Sequence, residues 1–282
     1  MFSLAYLAYF CLFYYSGMII WFIIGNIMPK KKPPAVTLPS VSIIVAIRNG
    51  ASSLPNLIKG LSKQTYLGKM EFILIDDQSE DETDLLINQA VNIDRRFKYV
   101  SSKGGNPKLN HKKRALDAGI NHAQYEWLLF TDVDCRIKPT WVEFIAKYFS
   151  ECMDYVIGFS QVKPGNQLVS CFQSLDYLML MICARGATNL GHAWASSGQN
   201  QAYRRSLFYS VNGFTKISEE LQGDDSLFLQ LCRKKNIKIA FADDPESRII
   251  ARQETSWLSF LKQRIRWSGD ARIMWKFNIY FF

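Results

Sequence analysis

VSIIVAIRNGASSLPNLIKGLSKQTYLGKMEFILIDD, residues 41–77, carries the pattern on which the fold turns. Val41 to Ile47 is a short apolar, β-branched run, and Phe72 to Ile75 is another. Runs of this kind fill parallel strands that are buried on both faces. Between them, Leu54 to Gln64 reads as a helix, which completes a βαβ unit. The alternation continues outward with a helix near Glu82 to Ile93, a strand near Lys98 to Ser101, a helix near Lys112 to Ala123 and a strand from Trp127 to Thr131. It predicts an α/β domain with a doubly wound, mostly parallel sheet and helices on both faces. Such sheets bind ligands beyond the carboxyl ends of their strands. Acidic clusters stand at two of those ends, Asp76-Asp77 after the second strand and Asp132-Val133-Asp134 after Thr131.

Composition narrows the function classes. With 48% hydrophobic residues in 282, the chain can fill a sizeable core, which excludes disorder as its main state. A net charge of +9 favours an anionic ligand or surface. Nucleic acid is not expected as a partner, because the lysines and arginines are dispersed and no nucleic-acid-binding motif accompanies them. Six cysteines without a CxxC pair or zinc-type spacing argue against a metal knuckle or a disulfide framework, and read as reduced cytosolic thiols.

Phe2 to Met28 contains no charged residue. As a helix rising about 1.5 Å per residue, such a stretch covers the ~30 Å hydrocarbon core of a bilayer with some tilt. Its charges follow it rather than precede it, which suits an anchor better than a cleaved signal. Lys30, Lys31 and Lys32 place the following domain on the cytoplasmic side, at a bacterial inner membrane. Pro29, Pro33, Pro34 and Pro39 read as a stiff, extended linker between anchor and domain. The expected division is an anchor over 1–28, a linker over 29–40, the α/β domain over 41–255 and an amphipathic segment over 256–282 that ends in the start of a membrane or interfacial helix.

Several clusters suit one chemistry. Asp132 and Asp134, at i and i+2 just past a strand, can both approach one hard divalent cation, Mg²⁺ or Mn²⁺, that also takes diphosphate oxygens. Asp76 and Asp77 suit hydrogen bonds from a base or ribose, or cap the helix starting near Glu82. Lys112 and Lys113 open a helix, where a phosphate would be favoured, or form a solvated basic face. Gly223-Asp224-Asp225 precedes an apolar helical pattern; one carboxylate caps that helix while the other serves as a general base, or capping is the whole role. Gln263, Arg266 and Trp267 share part of one helical face, with Arg266 suited to a diphosphate and Trp267 to stacking on a sugar ring.

Taken together and in order, the DD after the second strand, the KKxAL segment (Lys112 to Leu116), TDVDC, GQNQAYRR (Gly198 to Arg205), GDD and QxxRW resemble the motifs of family 2 glycosyltransferases with the GT-A fold, from about Val41 to Trp267. That family includes membrane-bound cellulose, hyaluronan and ceramide-sugar synthases. The resemblance implies an inverting transfer of a sugar from a nucleotide-sugar, a UDP-sugar first of all, to a hydroxyl of a lipid or glycan acceptor. It implies that Asp77, with Asp76, contacts the uracil, that Lys112 lies near the nucleotide, and that Asp134 with Asp132 holds the metal-diphosphate. Asp225 becomes the catalytic base with Asp224 as competitor, and Gln263, Arg266, Trp267 and Gln199 lie near the diphosphate and acceptor.

The sequence departs from the family pattern at two places. Ala46-Ile47-Arg48-Asn49 stands where the family often has a P-x-Y-N-E segment. Larger members carry several helices after QxxRW, whereas this sequence reaches Phe282 within an aromatic run (Trp275, Phe277, Tyr280, Phe281, Phe282), which leaves room for a further membrane partner. Two other readings compete: transfer to a polyprenyl phosphate, which needs no strong base, and a catalytically silent membrane scaffold of the same fold.

Overall fold

The computed structural model describes residues 2–28, 38–150 and 152–278. In chain order it contains α1 (Phe2–Ile27), β1 (Val41–Ile47), α2 (Leu54–Ser62), β2 (Met70–Asp76), α3 (Thr83–Ile93), β3 (Phe97–Ser101), α4 (His111–His122), β4 (Trp127–Phe130) and α5 (Trp141–Ala146). There follow β5 (Tyr155–Gly158), β6 (Ser160–Val162), α6 (Leu168–Asn189), β7 (Gln201–Arg204), α7 (Arg205–Ser210), α8 (Ser226–Arg233), β8 (Ile239–Ala242), β9 (Ile249–Ala251) and α9 (Trp257–Met274).

One sheet runs β3-β2-β1-β4-β7-β5-β8, and β6 pairs with β9 beside it. The first four strands are mutually parallel, as their apolar runs predict; β7 enters antiparallel between β4 and β5. Alternate residues feed two cores. Ile44, Ile73, Ile75, Leu128 and Phe130 pack under α4, α6 and α8, while Ile43, Val45, Phe72, Leu74 and Leu129 pack under α2, α3 and α5. Burial on both faces is what removes polar alternation from these strands.

The mostly parallel sheet with helices on both faces is therefore present, together with the apolar N-terminal helix. Leu4–Ile27 is long and apolar enough to cross a membrane, and none of its most apolar window is buried by the protein. Leu168–Asn189 passes the same test of length and composition, but a third of its window lies inside the domain.

The last turns of α1 are seated on α6. Asn26 Nδ2 donates to Ile182 O at 3.0 Å, and Asn189 Nδ2 donates to Gly25 O at 2.9 Å. Arg185 donates to Asn26 Oδ1 and pairs with Asp243 at 2.7 Å. A Cβ on Gly25 would lie 2.2 Å from Gly186 O, so the two backbones meet where only glycine leaves room. Trp21 stacks on Trp194 at 4.9 Å. The expected linker residues Pro29, Lys30, Lys31, Lys32, Pro33 and Pro34 lie outside the described residues, as do Tyr280, Phe281 and Phe282. The six cysteines are free thiols, Cys135 and Cys232 buried.

Candidate active site

A cleft of about 740 Å³ opens at the carboxyl ends of the central strands. It brings together Lys112, Asp132, Asp134, Gln199, Asp224, Asp225, Gln263, Arg266 and Trp267, residues drawn from five separate stretches of sequence. Burial explains why they converge: β4 is fully buried up to Phe130, so the chain first reaches solvent at Asp132 to Asp134, directly beyond the sheet edge.

The floor of the cleft is cross-linked. Lys112, in the first turn of α4, places Nζ 2.9 Å from Asp132 and 3.1 Å from Asp224, bridging the two acidic loops. The Asp224 contact is an ion pair without a well-aligned hydrogen bond. Burial opposes the lysine's charge, but Asp132 and Asp224 outweigh it and hold its pKa well above the ordinary lysine range. The neighbouring Lys113 is buried and donates to Glu220 O and, at 2.8 Å, to Gln222 O, which fastens the loop that leads into Asp224. A solvated basic face is therefore excluded for this pair.

Asp225 caps α8 by accepting from Ser226 N, and its other oxygen accepts from Gly198 N at 3.0 Å. A single carboxylate thus does both things that the sequence allowed for the pair, capping the helix and facing the cleft. Burial, and then the charge of Asp224, push its carboxyl up to about 6. Gly198 is the close neighbour this geometry needs, since a Cβ there would stand 3.1 Å from Asp224 Oδ2 and 3.2 Å from Lys112 Nζ. The rest of the GQNQ segment is also occupied. Gln199 Oε1 accepts from Tyr177 at 3.0 Å, Asn200 accepts from Trp141 and donates to Phe159 O and Ser247 O, and Gln201 Nε2 donates to Asp224 O at 3.3 Å.

Asp134 is half-buried; burial and the adjacent Asp132 charge raise its carboxyl, with Arg252 and Lys112 acting in opposition. Among the described residues, no group of three His, Cys, Asp or Glu side chains is placed to hold a metal alone. Two carboxylates fit a hard cation that takes its remaining oxygens from a diphosphate and water.

α9 forms the opposite wall. Gln263 donates to Glu254 at 3.2 Å and accepts from Gln173 at 3.3 Å, and Gln222 donates to Arg266 O at 3.3 Å. The Arg264 guanidinium lies 4.3 Å from the Trp267 ring, and Tyr177 stands 5.8 Å from it in a tilted contact.

Asp76 and Asp77 are not brought into this lining. They are buried at the end of β2 beside the end of β1, where Asp77 N donates to Ile47 O at 2.7 Å. Asp76 accepts from Ser79 N at 3.1 Å and closes its own turn; α3 begins at Thr83 with Glu82 as its N-cap, so neither aspartate caps that helix. The adjoining β1 loop does reach the cleft, through Ala46 and Arg48. Sequence reasoning missed Arg252, Glu254, Tyr177 and Gln222, which line it as well. The first two follow β9 closely, the same strand-end position that singled out the aspartates.

Residues 42–211, more than half of the chain, match the family described as glycosyl transferase family 2. The chain belongs to glycosyl transferase family 2. Among curated family relatives, poly-beta-1,6-N-acetyl-D-glucosamine synthase of Staphylococcus aureus (strain COL) is 24% identical over 276 residues, 92% of this chain and 64% of that protein. The Staphylococcus epidermidis (strain ATCC 35984) enzyme of the same name is 25% identical over 199 residues, 65% of this chain and 47% of that protein. The chain therefore spans less than two thirds of the length of these relatives. Among solved structures, a mannosyltransferase from Pyrobaculum calidifontis in complex with GDP-Man and Mn²⁺ superposes with a TM-score of 0.66, at 18% identity, covering 90% of this chain and 67% of that one. Glucosyl-3-phosphoglycerate synthase from Mycobacterium tuberculosis, in complex with Mn²⁺, UDP and phosphoglyceric acid, gives 0.53 at 18% identity, with coverages of 79% and 74%. At these identities the structural likeness establishes the GT-A fold of this family 2 member.

Proposed function

We propose that this glycosyltransferase is an inverting, divalent-cation-dependent hexosyltransferase that moves a sugar from a UDP-sugar to a hydroxyl of a lipid or glycan acceptor, at the cytosolic face of a bacterial inner membrane. The observation that carries the reading is the convergence of Asp132, Asp134, Asp225 and Arg266 on one cleft. Five carboxylates (Asp132, Asp134, Asp224, Asp225, Glu254) and four cations (Arg48, Lys112, Arg252, Arg266) line it, a net of minus one. A diphosphate alone would add to that negative charge, whereas one accompanied by a divalent cation enters nearly neutral.

Asp225 is the base. Asp224 is buried and held by Lys112, while Asp225 is half-buried, oriented by two backbone amides and raised in proton affinity. As the acceptor hydroxyl gives its proton to Asp225, its oxygen bonds to the anomeric carbon from the face opposite the diphosphate. The bond from that carbon to the diphosphate oxygen breaks, and the nucleoside diphosphate leaves with its electron pair. Asp132 and Asp134 would hold the divalent cation, which when bound neutralises charge on the leaving group. Arg266 offers that same group a bidentate contact, and Trp267 a face for a sugar ring.

UDP as the nucleotide is supported by the motif resemblance, and the cytosolic face by the lysines that follow α1. The purified protein should release nucleoside diphosphate from a UDP-sugar only with Mg²⁺ or Mn²⁺. Asp134→Ala and Asp225→Asn should each abolish turnover while leaving the fold intact, and full activity in the double variant would end the proposal. A panel of UDP- and GDP-sugars decides the base. Cys152 is exposed on the domain. With Cys11 and Cys171 replaced by serine, it should resist an impermeant maleimide in spheroplasts and react in inverted vesicles.

A further inference from the structure

A second cavity, of about 230 Å³, continues from the cleft behind Asp225 and Trp267. The two spaces share Tyr177, Ser197, Gln222, Asp225 and Trp267, so the candidate base stands at their junction. Beyond that junction the wall changes character. It is built mainly from Ile157, Leu180, Met181, Ala184, Ala195 and Met274, side chains without a hydrogen-bonding group, and the two serines on it already donate within the protein, Ser196 to Gln201 Oε1 and Ser226 to Ser196 O. The polar end of Tyr177 is already bonded to Ser197 and Gln199, which leaves its ring to the cavity. A wholly hydroxylated chain placed here would lose hydration without gaining partners, whereas an alkyl chain loses none.

The position of the cavity says where such a chain would come from. Leu180 to Ala184 lies on the stretch of α6 where α1 is seated, through Asn26 on Ile182 O and Gly25 against Gly186. Ala195 follows Trp194, which stacks on Trp21 of α1. Leu180 is also 49% exposed, so the cavity wall reaches accessible surface on α6, the helix on which the apolar α1 is seated.

We infer that the apolar cavity between α6 and α9 receives the alkyl or prenyl portion of a membrane-lipid acceptor, whose headgroup hydroxyl is thereby presented to Asp225. This rests on the glycosyl-transfer reading above and narrows its acceptor to an amphipathic lipid. The donor side of the cleft is untouched by it, because the cavity borders neither Asp132 nor Asp134.

The test uses the full chain in detergent with Mn²⁺ and UDP-sugar, and octyl, decyl and dodecyl β-glucosides against free glucose as acceptors. Transfer to the alkyl glucosides is expected, with KM falling roughly fifteenfold per two-carbon step until the cavity is filled. Ala184→Leu and Ala195→Leu, which narrow the cavity, should raise that KM about tenfold while metal-dependent hydrolysis of the donor stays unchanged. A diazirine-tagged dodecyl glucoside should label the Leu180–Ala184 peptide. Equal use of glucose and dodecyl glucoside, or no labelling there during transfer, overturns the inference and leaves the glycosyl-transfer reading standing. Absence of nucleoside diphosphate release, with or without acceptor, under every condition overturns both readings.

Discussion

The two walls of the cleft are built differently. On the floor, Lys112 joins Asp132 to Asp224, Lys113 fastens the loop before Asp224, and Gly198 and Ser226 fix both oxygens of Asp225. The α9 wall meets the loop before Asp224 through a longer bond, 3.3 Å from Gln222 to Arg266 O; Arg264 anchors the helix on Asp176 of α6, but Arg266 itself is exposed. Groups that act on a reacting atom must be held before substrate arrives, whereas groups that close on a leaving group gain from being able to move. Floor substitutions should therefore fall on kcat, and α9 substitutions largely on KM.

The largest separation is expected at Asp225. Asp225→Asn should lower kcat by about 10²–10⁴-fold. It keeps one acceptor oxygen for two backbone amides and should lose only about 1 kcal/mol of stability. Steady-state kinetics beside a thermal melt checks both, and a variant that simply unfolds would remove the argument for a base. Arg266→Ala comes next, with a fall in kcat/KM of roughly 10- to 100-fold, the worth of one charged hydrogen-bonding contact. An Arg266→Ala loss as large as that of Asp225→Asn, and entirely in kcat, would erase the distinction between the two walls.

A smaller effect tests the state of the floor. A base works deprotonated, and the carboxyl of Asp225 is raised to about 6. Activity should be full above that value and fall about tenfold per unit as pH drops below it. The pH profile of kcat/KM, taken at saturating Mn²⁺, shows this limb or does not; a flat profile down to pH 4.5 would leave Asp225 without the role.

How much of this was readable beforehand follows the same division. β1, β2 and β4 announce themselves because strands buried on both faces are uninterrupted apolar runs. β7 does not: it reads QAYR, and Gln201 is buried only because Tyr155 and Ser196 bond to it across the fold. The acidic loops were legible as chemistry standing at strand ends. Asp76 and Asp77 obey the same rule and yet are absent from the lining: the turn at Ser79 draws Asp76 back onto its own loop, and Asp77 is buried beside Ile47. Lys113 reads as either a phosphate-binding or a solvated lysine, since nothing local shows that Glu220 O and Gln222 O will meet it from 107 and 109 residues away. The apolar cavity was equally hidden, as its walls come from α6, the 193–197 segment and α9 and exist only once these pack together.

The smallest effect probes the brace on the floor. Lys112→Met leaves Asp132 and Asp224 facing one another without the cation between them. The lysine side chain is 37% exposed, so solvent screens the pair and the loss should be nearer 1 kcal/mol than that of a buried ion pair. For a domain of this size that is a fall of about 2–4 °C in Tm. The sign with pH is fixed by the direction of the shift. A lysine held above its ordinary pKa in the folded state contributes in full below its unfolded value and loses that contribution only in strong alkali, so the deficit should be constant between pH 6 and 9. Mn²⁺ separates this brace from ordinary packing. A cation bound at Asp132 and Asp134 relieves the repulsion that the missing lysine leaves, so added Mn²⁺ should raise the Tm of Lys112→Met by more than it raises that of the parent protein. Equal increments in the two proteins would mean that the ammonium group of Lys112 and the metal act on separate charges, and that the floor is held together by its backbone hydrogen bonds alone.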